Sequence, residues 1–188
     1  MRTLIIIPAY NEEEALPPTL KELREYQPTL DVVVVSDGSV DRTAEVGRAA
    51  GVVVLELPFN LGIGGALRAG FRYAVTEGYE AAVQFDADGQ HDPAHIDTLL
   101  RVLAEGADMV IGSRFTDAST HYDVSGTRRG AMRVLQVAVR LLAGRRFSDT
   151  SSGFRAFNRS VIEFFASNYP SEYMESVESL VLATFAGF

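Results

Sequence analysis

Short apolar runs alternate along the chain with longer segments in which apolar residues recur at every third or fourth position. The runs have the length and the β-branched or aromatic content of buried strands, and they lie at residues 3–7, 31–36, 52–55, 81–85 and 108–111. Because these runs are almost continuously apolar, we expect strands that are covered on both faces. The pattern predicts βαβ units and an α/β fold, in which a Rossmann-like, mostly parallel sheet is flanked by helices.

The segments between the runs carry helix signals. Leu16, Leu20 and Leu23 form one apolar stripe, and Pro17 and Pro18 fit the same helix only if they lie in its first turn. We therefore expect the first helix to begin close to these prolines.

The last third of the chain is less regular. Residues 116–127 are polar and predict a loop that closes over a ligand, whereas residues 132–142 predict an amphipathic helix. Residues 148–157 predict a loop that leads into a short strand. The apolar run at residues 180–188 has no polar end, so we expect that the chain is cut short at its C-terminus.

The fourth run leads into Asp86-Ala87-Asp88-Gly89-Gln90-His91-Asp92-Pro93, which holds three carboxylates within seven residues. In one interpretation this is an acidic turn before a helix, with Asp92 as its cap and Pro93 at its first position. In the other, Asp86 and Asp88 share a hard cation, because Mg²⁺ prefers one or two carboxylates together with substrate phosphates. Asp92 caps the helix in both cases, so these residues alone leave the choice open.

Topology favours the cation site. In a parallel sheet the loops that follow the strands share one edge, and ligands bind at that edge. The loops after the first four predicted strands bring six side chains there, namely Tyr10, Glu12, Asp37, Asn60, Asp86 and Asp88. We therefore expect a binding site at this edge.

The composition is that of one globular domain. The chain has 188 residues, of which 47% are hydrophobic, and we expect a single domain spanning residues 1–188. The absence of cysteine excludes disulfides, thiolate metal sites and a cysteine nucleophile, and it fits the cytoplasm. The first apolar run ends at Pro8, which makes it too short for a signal peptide or a membrane span.

The charge distribution favours an anionic ligand. The net charge of −8 argues against nucleic-acid binding. Residues 114–159 nevertheless hold nine arginines and three aspartates, a local balance of +6 that leaves −14 on the rest of the chain. A basic segment in an acidic chain indicates an anionic partner.

Two common ligand motifs are incomplete. Gly62-Ile63-Gly64-Gly65 has Leu67 where a dinucleotide-binding loop needs its third glycine, and the chain has no Walker-type phosphate loop. His91 and His95 are four residues apart but lack the glutamate of a zinc-binding helix. We therefore expect these two histidines and His121 at the surface.

Five motifs stand in order along the chain: Ile7-Pro8-Ala9-Tyr10-Asn11-Glu12-Glu13, Val35-Ser36-Asp37-Gly38-Ser39-Val40-Asp41, Asp86-Ala87-Asp88-Gly89-Gln90-His91, Gly112-Ser113-Arg114 and Ser152-Gly153-Phe154-Arg155. Together they resemble the inverting family 2 glycosyltransferases, and most of all the branch of dolichol-phosphate mannose synthases and other polyprenyl-phosphate glycosyltransferases. The resemblance spans essentially the whole chain. It implies the GT-A fold, a UDP- or GDP-linked sugar donor, and Mg²⁺ or Mn²⁺ at a DXD motif.

The resemblance also implies roles for single residues. The positions that match the donor nucleotide site are Pro8, Tyr10, Glu12, Val35, Asp37, Asp86 and Ala87. Among them, Asp37 would accept hydrogen bonds from the base and Ala87 would line the ribose. The positions that match metal ligands are Asp86, Asp88 and Gln90, and those that match phosphate contacts are Arg114, Arg129 and Arg155.

Two departures from the family pattern stand out. Ser36 replaces the first aspartate of the usual Asp-Asp-Gly-Ser, which removes a carboxylate but keeps the position that contacts the base. Relatives in this branch also continue beyond this point with segments that contact the lipid acceptor. The resemblance therefore implies a single GT-A catalytic domain that is truncated at its C-terminus.

By resemblance, the chain is expected to be a metal-dependent hexosyltransferase of the cell envelope. It would move a sugar to a polyprenyl phosphate with inversion, as a peripheral protein on the inner face of the membrane. Asp86, Asp88 and Arg114 would act in catalysis, and Asp149 would serve as a base if the acceptor were a hydroxyl. Two alternatives remain open: transfer to a hydroxyl of a cell-surface polysaccharide, and a non-catalytic nucleotide-sugar-binding protein.

Overall fold

The computed structural model of the chain describes residues 1–112, 152–170 and 175–188. Several features predicted from sequence lie outside these ranges, namely the polar loop, the amphipathic helix, His121, Arg114, Arg129 and Asp149.

The described strands form one sheet. They are β1 (Thr3–Ala9), β2 (Asp31–Asp37), β3 (Val53–Leu57), β4 (Ala81–Gln84), β5 (Met109–Ile111) and β6 (Arg155–Asn158). Their order across the sheet is β3-β2-β1-β4-β6-β5. The first four strands are parallel, whereas β6 is antiparallel to β4 and to β5. The predicted α/β fold with a mostly parallel sheet is confirmed, with strand ends shifted by one or two residues.

Helices cover both faces of this sheet. They are α1 (Leu16–Tyr26), α2 (Thr43–Ala49), α3 (Gly62–Thr76), α4 (Ile96–Ala104), α5 (Arg159–Asn168) and α6 (Glu175–Phe185). Pro17 and Pro18 lie in the first turn of α1, as predicted. Within the described ranges, no helix is both long enough and apolar enough to cross a bilayer.

The central strand β1 explains why its run is apolar without interruption. Leu4 and Ile6 face one side and pack with residues of α3 and α5, while Ile5 and Ile7 face the other side and pack with α1 and α4. All four side chains are buried. Since burial of each such side chain contributes about 1.5–3 kcal/mol, neither face of β1 tolerates a polar residue without a large loss.

The strand order creates a switch point beside β1. From β1 the chain proceeds to β2 and β3 on one side, and it then returns to place β4 on the other side of β1. The loops after β1 and β4 therefore leave the sheet in opposite directions, and a crevice opens between them. The acidic stretch after β4 lies at this crevice.

Candidate functional site

A cavity of about 480 Å³ occupies the crevice at the carboxyl ends of the parallel strands. Its lining residues are Pro8, Ala9, Tyr10, Glu12, Asp37, Asn60, Gly62, Ile63, Ala66, Asp86, Ala87 and Asp88. All six side chains that were predicted to meet at this edge are among them. The predicted convergence is therefore confirmed.

Hydrogen bonds join the loop after β1 to the loop after β2. The backbone N–H of Glu12 donates to Oγ1 of Thr43 at 2.8 Å, and the N–H of Val40 donates to Oδ1 of Asn11 at 2.9 Å. Asn11 adopts a left-handed backbone with φ of 57°, which asparagine tolerates better than most residues. These contacts hold the loop that presents Tyr10 and Glu12 to the cavity.

Asp37 ends β2 and connects it to the loop before α3. Its side chain is almost fully buried, and its Oδ1 accepts a hydrogen bond of 2.8 Å from the backbone N–H of Leu61. Gly38 follows with φ of +68°, and a Cβ there would lie 2.5 Å from backbone atoms of Phe59 and Asn60. Glycine is therefore required at this position, both for its backbone conformation and for the close approach of the two loops.

A hydrogen bond from α1 fixes the acidic loop after β4. The hydroxyl of Thr19 in α1 donates to the carbonyl of Ala87 at 2.9 Å, which holds the residue between the two aspartates. Asp88 is exposed, and its Oδ1 accepts from the backbone N–H of Gln90 at 3.0 Å. Asp92 accepts from the N–H of Ala94 at 2.8 Å and so caps the short 3-10 turn Pro93–His95, which leads directly into α4. Cap and cavity coexist, and Asp86 and Asp88 take no part in the cap.

His91 contradicts the expectation of surface histidines. Its side chain is buried, with 8% of the residue exposed, and its Nε2 lies 2.7 Å from Oδ2 of Asp86. The imidazole stacks on Phe154 with ring centroids 5.1 Å apart and meets the edge of Phe85 at 5.7 Å. His95, by contrast, is exposed as predicted. The local pattern contains no signal for this burial, because Phe154 is distant along the chain.

The backbone of Gly153 also lies close to the Asp86 carboxylate. Oδ1 of Asp86 is buried and has no hydrogen-bond partner among the described residues, and the same is true of both amide atoms of the buried Gln84. A Cβ on Gly153 would lie 2.8 and 3.0 Å from the two carboxylate oxygens of Asp86. The carboxylate therefore contacts an imidazole and lies against the backbone of a glycine.

The cavity is strongly acidic. Four carboxylates line it, those of Glu12, Asp37, Asp86 and Asp88, and within the described part of the chain no lysine or arginine does. Burial raises the pKa of Glu12 above 4.5, and the charges of Asp88 and Asp41 raise it further. A ligand that brings positive charge to this cavity would relieve the repulsion.

The side chains at the cavity fit a hard divalent cation for which the protein supplies only some of the ligands. Asp86 and Asp88 offer carboxylate oxygens at the cavity, and one oxygen of Asp86 is buried without a hydrogen bond from any residue that the structure describes. The described residues contain no group of three or more carboxylate, histidine or cysteine side chains placed to hold a metal ion by themselves. This combination suits Mg²⁺ or Mn²⁺, which take one or two protein carboxylates and complete their shell with water and phosphate oxygens.

Three of the residues expected at the donor and metal site do not line the cavity, namely Val35, Gln90 and Arg155, and Gln90 is exposed to solvent. Val35 is fully buried in the core between the sheet and α3. Arg155 is also fully buried, and it donates from Nε to the carbonyl of Ser152 at 2.7 Å and from Nη1 to the hydroxyl of Ser179 at 2.8 Å. Arg155 instead connects β6 to α6.

Comparison with known proteins identifies a family that this chain matches. Residues 4–165 match Glycosyl transferase family 2. The undecaprenyl-phosphate mannosyltransferase of Micrococcus luteus is 38% identical over 86% of this chain and 68% of its own length. The polyprenol monophosphomannose synthase of Mycolicibacterium smegmatis is 34% identical over 86% of this chain and 63% of its own length.

A solved structure shares the fold. Glucosyl-3-phosphoglycerate synthase from Mycobacterium tuberculosis, crystallised with Mn²⁺, UDP-glucose and phosphoglyceric acid, has a TM-score of 0.72 against this chain. The match covers 98% of this chain and 65% of that protein, at 22% identity. At this identity the likeness concerns the fold alone. The chain spans about two thirds of the length of each of these three proteins.

Proposed function

The chain belongs to glycosyl transferase family 2, and from this premise we propose that it moves a sugar from a nucleoside diphosphate to a polyprenyl phosphate. It is a glycosyltransferase, and its sheet has the architecture of the GT-A fold. One observation carries the proposal: the switch-point cavity holds Asp86 and Asp88 at the end of β4 and Asp37 at the end of β2. The acceptor class rests on the names of the two relatives above, which specify undecaprenyl phosphate and polyprenol.

The nucleoside of the donor would lie over the ends of β1 and β2. Pro8, Tyr10 and Glu12 line this part of the cavity together with Asp37. Asp37 is held by Leu61 through one oxygen, so its orientation is set before a ligand arrives. An ionised carboxylate only accepts hydrogen bonds, and the proposal assigns it to an N–H group on the edge of the base. Ala87 would contact the ribose from the opposite side.

The diphosphate of the donor would lie beside the acidic loop, and we assign the cation to Asp86 and Asp88 at the cavity and to Gln90, two residues further along the loop. When bound, Mg²⁺ or Mn²⁺ supplies charge neutralisation for the departing nucleoside diphosphate. The protein contributes the position of the two carboxylates, which the Thr19 bond to Ala87 and the His91 bond to Asp86 maintain. Arg114 and Arg129 belong to the basic segment and would add phosphate contacts.

The acceptor decides whether a general base is needed. A phosphate monoester is ionised at neutral pH, so its oxygen can attack the anomeric carbon directly, and a single displacement inverts that centre. A hydroxyl acceptor would instead require a base within about 2.6–3.2 Å of the proton it removes. The proposal favours the phosphate and assigns no proton transfer to Asp149. Peripheral attachment to the membrane follows from the same acceptor.

Calorimetric titration tests the donor site. UDP and GDP are each added to the protein with Mg²⁺, with Mn²⁺ and with EDTA. The proposal predicts that one nucleotide binds and that EDTA removes the binding, which also identifies the donor base. Failure of both nucleotides under every metal condition would contradict the donor site and favour a non-catalytic protein.

A transfer assay then tests the acceptor. The matching radiolabelled sugar nucleotide is incubated with a short-chain polyprenyl phosphate, and the dephosphorylated polyprenol serves as the matched control. Label should enter the organic phase only with the phosphate. Transfer to the polyprenol, or to a soluble polysaccharide, would instead support a hydroxyl acceptor.

A further inference from the structure

We infer that His91 is a positioning residue, which fixes the carboxylate of Asp86 toward the donor site; the inference rests on the function proposed for this cavity. Nε2 of His91 and Oδ2 of Asp86 are 2.7 Å apart. Because an ionised carboxylate only accepts hydrogen bonds, Nε2 carries the hydrogen and donates it. Among the described residues, His91 is the hydrogen-bond partner of this carboxylate.

The imidazole is itself held in place. It stacks on Phe154 at an interplanar angle of 18° and contacts the edge of Phe85 at 73°. Phe154 is fixed in turn, since its backbone N–H donates to the hydroxyl of Ser152, and that hydroxyl donates to the carbonyl of Gly112. The chain of contacts runs from the ends of β5 and β6 to the carboxylate beyond β4.

Gly153 also restricts the space around Asp86. Its backbone approaches so closely that an added Cβ would stand 2.8 Å from Oδ2 and 3.0 Å from Oδ1. With the imidazole on one oxygen and this backbone close to both, rotation of the carboxylate is restricted. Residues that fix a ligand in this way change metal affinity, because they remove the cost of ordering the ligand when the metal binds.

The His91 hydrogen bond also offsets an energetic cost, because Oδ1 of Asp86 is buried. A buried carboxylate oxygen without a partner is costly, and the bond from His91 to Oδ2 offsets part of that cost. Without the donor, Asp86 would gain by turning toward solvent and leaving the position beside Asp88. His91 thereby controls where one of the two cavity aspartates points.

Two substitutions separate this role from simple packing. His91→Phe keeps an aromatic ring against Phe154 and Phe85 but has no donor. His91→Gln loses the ring but places an N–H near the position of Nε2. The same change at the neighbouring exposed histidine, His95→Phe, is the matched control.

The measurement is the dissociation constant of Mn²⁺, obtained by calorimetry and by the Mn²⁺ electron paramagnetic resonance spectrum. It is made in the presence of whichever of UDP or GDP the unmodified chain binds. We expect His91→Phe to weaken Mn²⁺ binding by about 10-fold to 100-fold, the range typical of residues that orient a metal ligand. His91→Gln should recover most of the affinity, and His95→Phe should bind as the unmodified chain does.

The outcomes are distinct. If the unmodified chain binds nucleotide with Mn²⁺ and His91→Phe binds equally well, the inference is overturned and the proposed function stands. If His91→Gln loses as much affinity as His91→Phe, ring packing and not the hydrogen bond is responsible, which also overturns it. If the unmodified chain binds neither nucleotide, the proposed function fails together with the inference. Should His91→Phe not fold, His91→Met, flexible and without a donor, takes its place.

Discussion

The hydroxyl of Thr19, in α1, donates a hydrogen bond of 2.9 Å to the carbonyl of Ala87, the residue between the two cavity aspartates. The two residues are 68 positions apart in sequence. The carbonyl of Ala15, one turn earlier in the chain, also lies 2.9 Å from this oxygen and shares the single hydroxyl hydrogen with Ala87. A single buried side chain thus connects the first helix to the acidic loop that the proposal places against the diphosphate.

Replacing Thr19 with valine tests this connection. Valine keeps the shape of threonine and removes the hydroxyl, so the carbonyl of Ala87 loses a buried partner. We expect a loss of about 1–3 kcal/mol in the free energy of unfolding, measured by urea denaturation. Thr98→Val, at an exposed position of α4, is the control and should change stability little. Equal stability of Thr19→Val and the unmodified chain would contradict the structural role of the bond.

Asp88→Ala should remove metal-dependent nucleotide binding and leave the fold intact. Asp88 is exposed, so its loss creates no cavity in the core. We expect nucleotide affinity in the presence of Mn²⁺ to fall by about 100-fold or more, because the charge stabilisation that a metal provides is worth several kcal/mol. Calorimetry gives the affinity, and thermal melting verifies the fold. Asp97→Ala, at an exposed position in the first turn of α4, is the matched control. Turnover retained by Asp88→Ala at saturating metal would exclude Asp88 as a metal ligand.

Gly153→Ala should disturb Asp86 without changing His91. The new methyl group would lie within 3.0 Å of both carboxylate oxygens and 3.2 Å from Nε2 of Gln84. Such overpacking typically costs about 1–3 kcal/mol, and here the side chain of Asp86 is the group that must move. We expect lower stability together with weaker Mn²⁺ binding. A variant that is destabilised but binds Mn²⁺ normally would show that the position of Asp86 tolerates the shift.

The lowered pKa of Asp41 predicts that the free energy of unfolding depends on pH. Burial alone would raise the pKa of Asp41, but hydrogen bonds from the hydroxyl and backbone N–H of Thr43 and from the backbone N–H of Glu13 together lower it below 3.8. A carboxyl group with a lowered pKa in the folded state stabilises the fold above its unfolded pKa, and this contribution disappears as the pH falls through the folded value.

The test is urea denaturation of Asp41→Asn and the unmodified chain at pH 7 and near pH 3. The variant should be the less stable protein at pH 7, and the difference should shrink at the acidic pH because protonation removes the same charge from the unmodified chain. Asp97→Asn, at an exposed position, should show no such trend. A stability difference for Asp41→Asn that does not change with pH would rule out the ionised carboxylate as its cause.

The predicted sheet and the cavity at its edge followed from the sequence alone for a physical reason. Burial on both faces imposes continuous apolar runs, as in β1 and β2, and such runs are visible without tertiary information. Right-handed crossovers then bring the loops after parallel strands to one edge whatever the details of packing. This is why the sequence alone places Asp37, Asp86 and Asp88 at the same edge.

Contacts between segments that are distant in sequence cannot be predicted from such local patterns. The sequence predicts His91 at the surface because the His91 and His95 pair lacks the glutamate of a zinc-binding helix, whereas stacking on Phe154 buries the ring. Arg155 looked like a phosphate ligand because its motif matches the family, yet Ser152 and Ser179 bind its guanidinium inside the protein.

The sequence by itself determined the elements, their order and the edge at which polar side chains meet, because periodicity and chain connectivity act through neighbours along the chain. Only the tertiary structure decided which of those side chains face the cavity and which are held by others. Val35 and Arg155 are enclosed by the core, while Asp86 contacts His91 and lies against Gly153. Close packing determines these positions, because each side chain must fit against atoms from segments that are distant in sequence.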